Sequence, residues 1–211
     1  MTGSTRKIAP HKPTRIQLEN RGRILNAALA IFSQHGFRGT TIDAIAGEAG
    51  MSKANLLYYF RTKNDIYVCV LEDILDQWLE PLQQLDADAD PGDELWRYVQ
   101  VKLQMSRNNP QASRLFATEI IAGAEMIKPF LETDLRQRVN DKCAVIQQWI
   151  DAGKLVPMQP LHLLFMIWAA TQHYADFAVQ IAALATEADE DQVFSDAEAT
   201  LKTVLLRGIL P

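Results

Sequence analysis

The sequence predicts an all-α fold of about nine helices, and three observations carry that prediction. Apolar residues recur at spacings of three and four along most of the chain. No alternation of apolar and polar residues persists long enough for a strand. Glycines and prolines sit mostly at joints: Gly36, Gly39, Gly50, the "DADADPGD" linker, Pro110, Pro129, "GKLVPMQP" and the closing "GILP". No internal repeat is visible.

The first helix runs from Thr14 to His35, with Ile24, Ala27, Ala28, Ile31 and Phe32 on its inner face and Gly36 as its left-handed end. In "TTIDAIAGEAG", Thr40 and Asp43 stand at capping-box spacing, and Ile42, Ile45 and Ala46 form the inner face of a short second helix that stops at Gly50. Ser52 then caps a third, Lys53 to about Phe60. Two short helices across a tight glycine-bearing turn make a helix-turn-helix, whose second helix enters the major groove of DNA. Leu56 and Phe60 lie on its buried side, which leaves Lys53, Asn55 and one or both of Tyr58 and Tyr59 to face DNA. A phenol can donate to a phosphate oxygen while its ring packs on sugar, and an asparagine amide can read adenine or serve as a plain surface group. Thr62 with Asp65 opens the next helix, where Lys63 can reach the DNA backbone. Together with Thr41 these residues form the candidate DNA-binding set.

Charge agrees with that division. The net charge is −5, yet residues 1–63 hold ten Lys and Arg against three acids, and the rest hold eleven against twenty-three. A basic end on an acidic body suits a chain that meets phosphate at one end. The organisation predicted is a flexible basic arm over 1–13, a DNA-binding domain over 14–62 and a ligand-binding and dimerisation domain over 63–211. No stretch reads as a signal peptide or membrane span, so a cytoplasmic chain with no membrane partner is expected. Cys69 and Cys143 lie in apolar helical patterns and read as buried free thiols. Neither Cys nor His makes a metal spacing, no histidine follows a glutamate by three residues, and no glycine-rich phosphate loop or nucleophile elbow occurs. No cofactor and no catalysis are expected. A pure protein-interaction module would leave the basic segment without a purpose.

Residues 20–70, "NRGRILNAALAIFSQHGFRGTTIDAIAGEAGMSKANLLYYFRTKNDIYVCV", resemble the DNA-binding domain of TetR-family transcriptional regulators, helix for helix. A typical member carries a small residue and threonine, then Leu-Tyr-Tyr-His-Phe, then Ser-Lys-Glu. Here Ala54, Asn55, Leu56, Leu57, Tyr58, Tyr59, Phe60, Thr62, Lys63 and Asn64 occupy those places. The resemblance implies phosphate contacts from Tyr58 and Lys63. Leu57 replaces the first tyrosine, Tyr59 the histidine and Asn55 the threonine, which leaves the operator sequence open.

The resemblance continues through "ILDQWLEPL", "PQASRLF" and "HLLFMIWAATQHYADFA", which look like family members that regulate pyrimidine utilisation. It implies a uracil or thymine effector, with Trp78, Trp168 and Gln172 at its site. Read without it, Trp168, Gln172 and Asp176 share one face of an apolar helix, and a buried polar stripe there needs a partner. A planar lactam that stacks on indole and pairs with the glutamine amide supplies one. A core tryptophan beside a backbone-bonded glutamine is the alternative, and a different planar or apolar ligand is another. Tyr174 and Asp176 are further effector candidates, although Tyr174 can simply pack and Asp176 can pair with a base such as Arg114. His173 reads as structural. The helices around 161–185 and 194–210 resemble the family's dimerisation unit, with Val193, Leu201, Val204, Leu205 and Ile209 on apolar faces, so a homodimer on a near-palindromic operator is expected. The helix from Thr62 to about Leu79 begins at the DNA-binding domain and carries Trp78 at its far end, and Pro81 is expected to end or bend it.

Overall fold

The computed structural model describes residues 14–211, so the expected basic arm over 1–13 lies outside the described residues. Helix α1 (Arg15–Gly39) starts at a capping box in which Thr14 Oγ1 accepts from Gln17 N–H and the Gln17 side chain accepts from Thr14 N–H. Gly36 interrupts it with φ 65°, a conformation that costs glycine little, before helical bonding resumes to Gly39. There the expected cap moves by one residue. The Thr40 hydroxyl donates to the Gly36 carbonyl at 2.8 Å, so the side chain is buried. Thr41 instead caps α2 (Ile42–Glu48) by accepting from Ala44 N–H.

The α2 terminus is a Schellman motif: Met51 N–H bonds Ala46 O and Gly50 N–H bonds Gly47 O, with Gly50 at φ 63°. Ser52 caps α3 (Lys53–Tyr59), and a second capping box, Thr62 with Asp65, starts α4 (Lys63–Gln83). Helix α4 continues through Pro81 and stops only at Gln83. The proline lies in its last turn, where it gives up the one bond to the Gln77 carbonyl and the helix runs only two residues further.

Helices α5 (Pro91–Asn108) and α6 (Pro110–Ile121) follow, each with proline at the start and an Asp or Asn cap. A continuous run then comprises α7 (Lys128–Phe130), a π-helical turn (Leu131–Leu135) and α8 (Arg136–Asp151). Last come α9 (Pro160–Asp176), α10 (Ala178–Leu184) and α11 (Glu190–Ile209). The single helix expected over 161–185 is two. Phe177 leaves helical geometry (φ −113°, ψ 27°), its ring stacked back on His173 at 4.8 Å, while the Asp176 carboxylate is held from α6 by Ser113.

Two main cores divide the molecule. One joins α1, α2 and α3 to the first half of α4 and to α6, through Ile24, Phe32, Ile45, Leu56, Ile66, Leu71 and Leu115. The other joins the end of α4 to α5, α8, α9 and α11, through Leu82, Leu95, Tyr98, Ile146, Trp149 and Leu164. Helix α4 enters both, so no apolar gap marks a boundary at residue 62. Leu205 and Ile209, expected on a dimer face, are buried in the second core, whereas Val204 is 66% exposed, and Phe165, Met166, Phe177 and Val179 are exposed as well.

Gly50→Ala forces alanine into positive φ with its Cβ 3.3 Å from the Arg23 guanidinium, and should lower unfolding free energy by about 1–2 kcal/mol. Gly22→Ala, mid-helix with nothing within 4 Å of the new Cβ, should raise it by about 0.5–1 kcal/mol. Denaturant titration of both variants checks the pair of signs.

Candidate functional site

The helix-turn-helix presents one polar face. Ser52 Oγ accepts from Asn55 N–H and sets the start of α3, so Lys53, Asn55 and Tyr58 point to solvent while Leu56 and Phe60 are buried. The adjacent tyrosines divide by this periodicity. Tyr58 is 71% exposed, while Tyr59 is half-buried against α1, its hydroxyl accepting from the Asn20 amide at 2.9 Å. The two rings meet edge to face, which steadies Tyr58 at the surface. Lys53 pairs with Asp43 at 2.8 Å across the turn, an exposed contact that a phosphate can displace. Thr41 is exposed one helix away.

Lys63 is drawn inward. Its ammonium donates to Phe37 O and Thr40 O at 2.7 and 2.8 Å and sits 4.4 Å from the Phe37 ring centre. It thereby ties the start of α4 to the irregular end of α1, with one N–H left over.

A cavity of about 190 Å³ lies at the other end of α4. Helix α4 contributes Leu75, Trp78 and Leu79, α6 contributes Phe116 and Ile120, and the π turn contributes its two ends, Leu131 and Leu135. Helix α9 contributes Trp168 and Gln172, and α5 contributes Lys102. Trp78, Trp168 and Gln172 are thus brought together as the sequence predicts. For scale, an apolar cavity of roughly 150 Å³ holds benzene, so this one has room for a single six-membered ring with small substituents. The Trp168 indole N–H is already used, donating to the buried Tyr98 hydroxyl at 2.7 Å. The Gln172 amide makes no hydrogen bond to any described residue, which leaves its carbonyl and amino ends for a ligand.

Tyr174 and Asp176 stand outside this lining. Tyr174 packs on Phe194 at 5.7 Å, in a small core with Leu103 and Ala197. Asp176 accepts from Ser113 Oγ at 2.6 Å, and Arg114, its suggested partner, donates instead to Ala175 O. Glu119 accepts from the Tyr67 hydroxyl and from Met126 N–H. Burial first, and then the Glu119 charge, push the Tyr67 phenol up.

The residue that sequence reasoning missed is Lys102. It is 3% exposed, its ammonium lies 4.4 Å from the Trp78 ring centre, and it makes no hydrogen bond to any described residue. Burial lowers its pKa to about 7, against a smaller opposing effect of the Asp176 carboxylate. The signal was present in the sequence: Leu95, Val99, Lys102 and Ser106 form one helical face, with a lysine in the buried stripe.

Two regions of the chain match the profiles of known families: residues 24–69 match bacterial regulatory proteins of the tetR family, and residues 71–211 match the YcdC-like protein C-terminal region. The chain belongs to the TetR family. It is 47% identical over 189 residues to the HTH-type transcriptional regulator RutR of Escherichia coli (strain K12), an alignment covering 89% of each protein. Among solved structures, SCO4942 from Streptomyces coelicolor superposes with a TM-score of 0.71 at 25% identity, covering 90% of this chain and 98% of that one. The ketosteroid transcriptional regulator KstR2 of Mycobacterium tuberculosis superposes with a TM-score of 0.68 at 20% identity, covering 97% and 100%. This TetR-family chain is therefore a transcriptional regulator and not an enzyme. Regulators of its family bind DNA, dimerise and bind small-molecule ligands. Among the described residues no helix is long and apolar enough to cross a membrane.

The buried lysine carries a stability cost with a definite sign. Its folded pKa lies below its unfolded one, so between about pH 7 and the ordinary lysine value the unfolded chain binds more protons and stability rises with pH. Lys102→Met should raise stability at pH 7 by an amount on the order of a few kcal/mol and flatten that rise. Chemical denaturation of both proteins at neutral and alkaline pH measures it.

Proposed function

We propose that this TetR-family regulator is a repressor of pyrimidine metabolism that leaves a near-palindromic operator when its cavity binds uracil or thymine. The observation that carries the reading is the unpaired Gln172 amide at the wall of a cavity sized for one ring and flanked by the Trp78 and Trp168 indoles. A lactam edge offers an N–H and a carbonyl side by side, the complement of a carboxamide, and its flat faces suit indole. The resemblance of the segments around Trp78 and Trp168 to pyrimidine-responsive members of the family supports the same choice.

At the DNA end, Lys53, Tyr58 and Lys63 serve as phosphate contacts, Asn55 as a base contact, and Thr41 and Tyr59 as flanking contacts. Two such faces in a dimer would meet successive major grooves, with the exposed apolar residues of α9 and α11 at the two-fold interface. A ligand drawn between Trp78 and Gln172 displaces the end of α4 and re-spaces the recognition helices.

Calorimetric titration of the dimer with uracil, thymine and cytosine tests the effector. Saturable uracil or thymine binding with cytosine rejected is expected, and no heat with either of the first two removes the pyrimidine reading. Gln172→Ala should weaken uracil binding by roughly tenfold or more without loss of thermal stability, and a variant that binds as tightly as the parent refutes the site. On DNA, Lys53→Ala should weaken binding about equally across sequences and reduce the salt slope by about 1, whereas Asn55→Ala should change sequence preference. Salt-dependent fluorescence anisotropy on selected duplexes separates the two.

A further inference from the structure

Gln172 can account for only half of a cyclic imide. Its amide pairs with the N1–H and the C2 carbonyl, an edge that uracil and cytosine share, and the C4 carbonyl of uracil would then face a cavity wall of leucine, isoleucine, phenylalanine and indole. An acceptor enclosed without a donor opposes binding. Besides Gln172, one lining residue has a donor with no partner: Lys102, 3% exposed, its ammonium set over the Trp78 face and free of hydrogen bonds among the described residues. A charge kept in an apolar enclosure and left unpaired marks a group held for a ligand. We infer that Lys102 is the specificity-determining residue of the cavity: its ammonium donates to the ring carbonyl that Gln172 leaves unpaired, and so excludes rings that carry an amino group there. The inference rests on the pyrimidine reading and deepens it.

The surroundings of Lys102 make the assignment measurable. Helices α4 and α6 and the π turn line the cavity with carbon and indole, and α9 adds the Trp168 indole and the Gln172 amide; the Asp176 carboxylate lies outside the lining and acts on Lys102 through its charge. Among the described residues Asp176 is the one charge that acts on Lys102, and its oxygen is already bonded to Ser113. In the empty protein burial holds the ammonium near its titration point, about 7. A carbonyl acceptor favours the charged form and raises that value. Binding must therefore take up a proton at a pH between the two values, with affinity highest at acid pH and falling as pH rises through about 7. A cytosine-like ring turns an amino donor toward the ammonium and gains nothing from its protonation.

The test is calorimetry of the full-chain dimer with uracil in two buffers of different ionisation enthalpy, at pH values of about 6 and about 8. The parent protein should take up a substantial fraction of one proton at the higher pH and bind roughly tenfold more weakly there than at the lower. Lys102→Met should show no proton uptake, a flat pH profile and a smaller gap between uracil and cytosine. Lys102→Arg, which stays charged throughout, should lose the pH dependence but keep the rejection of cytosine. Uracil binding by the parent that is independent of pH and buffer, or a Lys102→Met variant that keeps full affinity and discrimination, overturns the inference and leaves the pyrimidine reading in place. If the parent binds neither uracil nor thymine, both fall together. The proton count on the parent needs no variant, so misfolding of a substituted protein cannot obscure the result.

Discussion

The continuity of α4 is the constraint on which the rest of the molecule depends. Its first turn is anchored at the DNA end by the Thr62–Asp65 capping box and by the Lys63 bonds to Phe37 O and Thr40 O. Its middle is buried with α1, α2 and α3 through Ile66, Val70, Leu71 and Ile74. Its last turns carry Trp78 into the cavity and Leu82 into the second core. From Lys63 to Trp78 an unbroken helix spans about 22 Å, and no proline or glycine interrupts that stretch. A rod clamped in two cores transmits displacement and absorbs little of it. Helix α6 runs a parallel link: it packs on α1, lines the cavity through Phe116 and Ile120, and receives the Tyr67 hydroxyl on Glu119.

The chemistry of the cavity follows from what its walls leave unsatisfied. Trp168 spends its N–H on Tyr98, so the indole offers the ligand a face and no donor. Asp176 is bonded to Ser113, so it acts on the cavity only through its field on Lys102. What remains is one amide, Gln172, and one ammonium, Lys102, among apolar side chains. The cost of burying that ammonium falls on the empty protein, and a ligand that accepts from it recovers part of it. On the proposed reading, stability of the empty fold is traded for discrimination among ligands.

The DNA end was legible in the sequence because its determinants are local. Ser52, Thr62 with Asp65, and Gly50 act within five residues of themselves, and the structure has each in the expected role. The one-residue error at Thr40 came from a competing local bond, its hydroxyl to the Gly36 carbonyl four residues back, which the non-helical geometry of Gly36 leaves free and which capping rules do not see. Trp78, Trp168 and Gln172 were legible as a set because two share a helix face and the third lay in a resembling segment. Lys102 escaped because a lysine in an amphipathic helix reads as solvated unless the stripe is followed residue by residue, from Leu95 and Val99 to Ser106. Tyr174 and Asp176 share the helix of Trp168 but face other neighbours, a distinction set by how α5, α6 and α11 pack and not by spacing.

The central claim is that the cavity and the DNA face are two ends of one equilibrium, joined through α4. Linkage gives it a direct measurement: the affinity of the dimer for a duplex selected from a random pool, with and without saturating uracil, and its affinity for uracil with and without that duplex. The account predicts that uracil weakens duplex binding and that the duplex weakens uracil binding by the same factor, on the order of 10 to 100. Tight binding of both ligands with each affinity unchanged by the other would contradict it, and would leave α4 a passive strut between two independent sites.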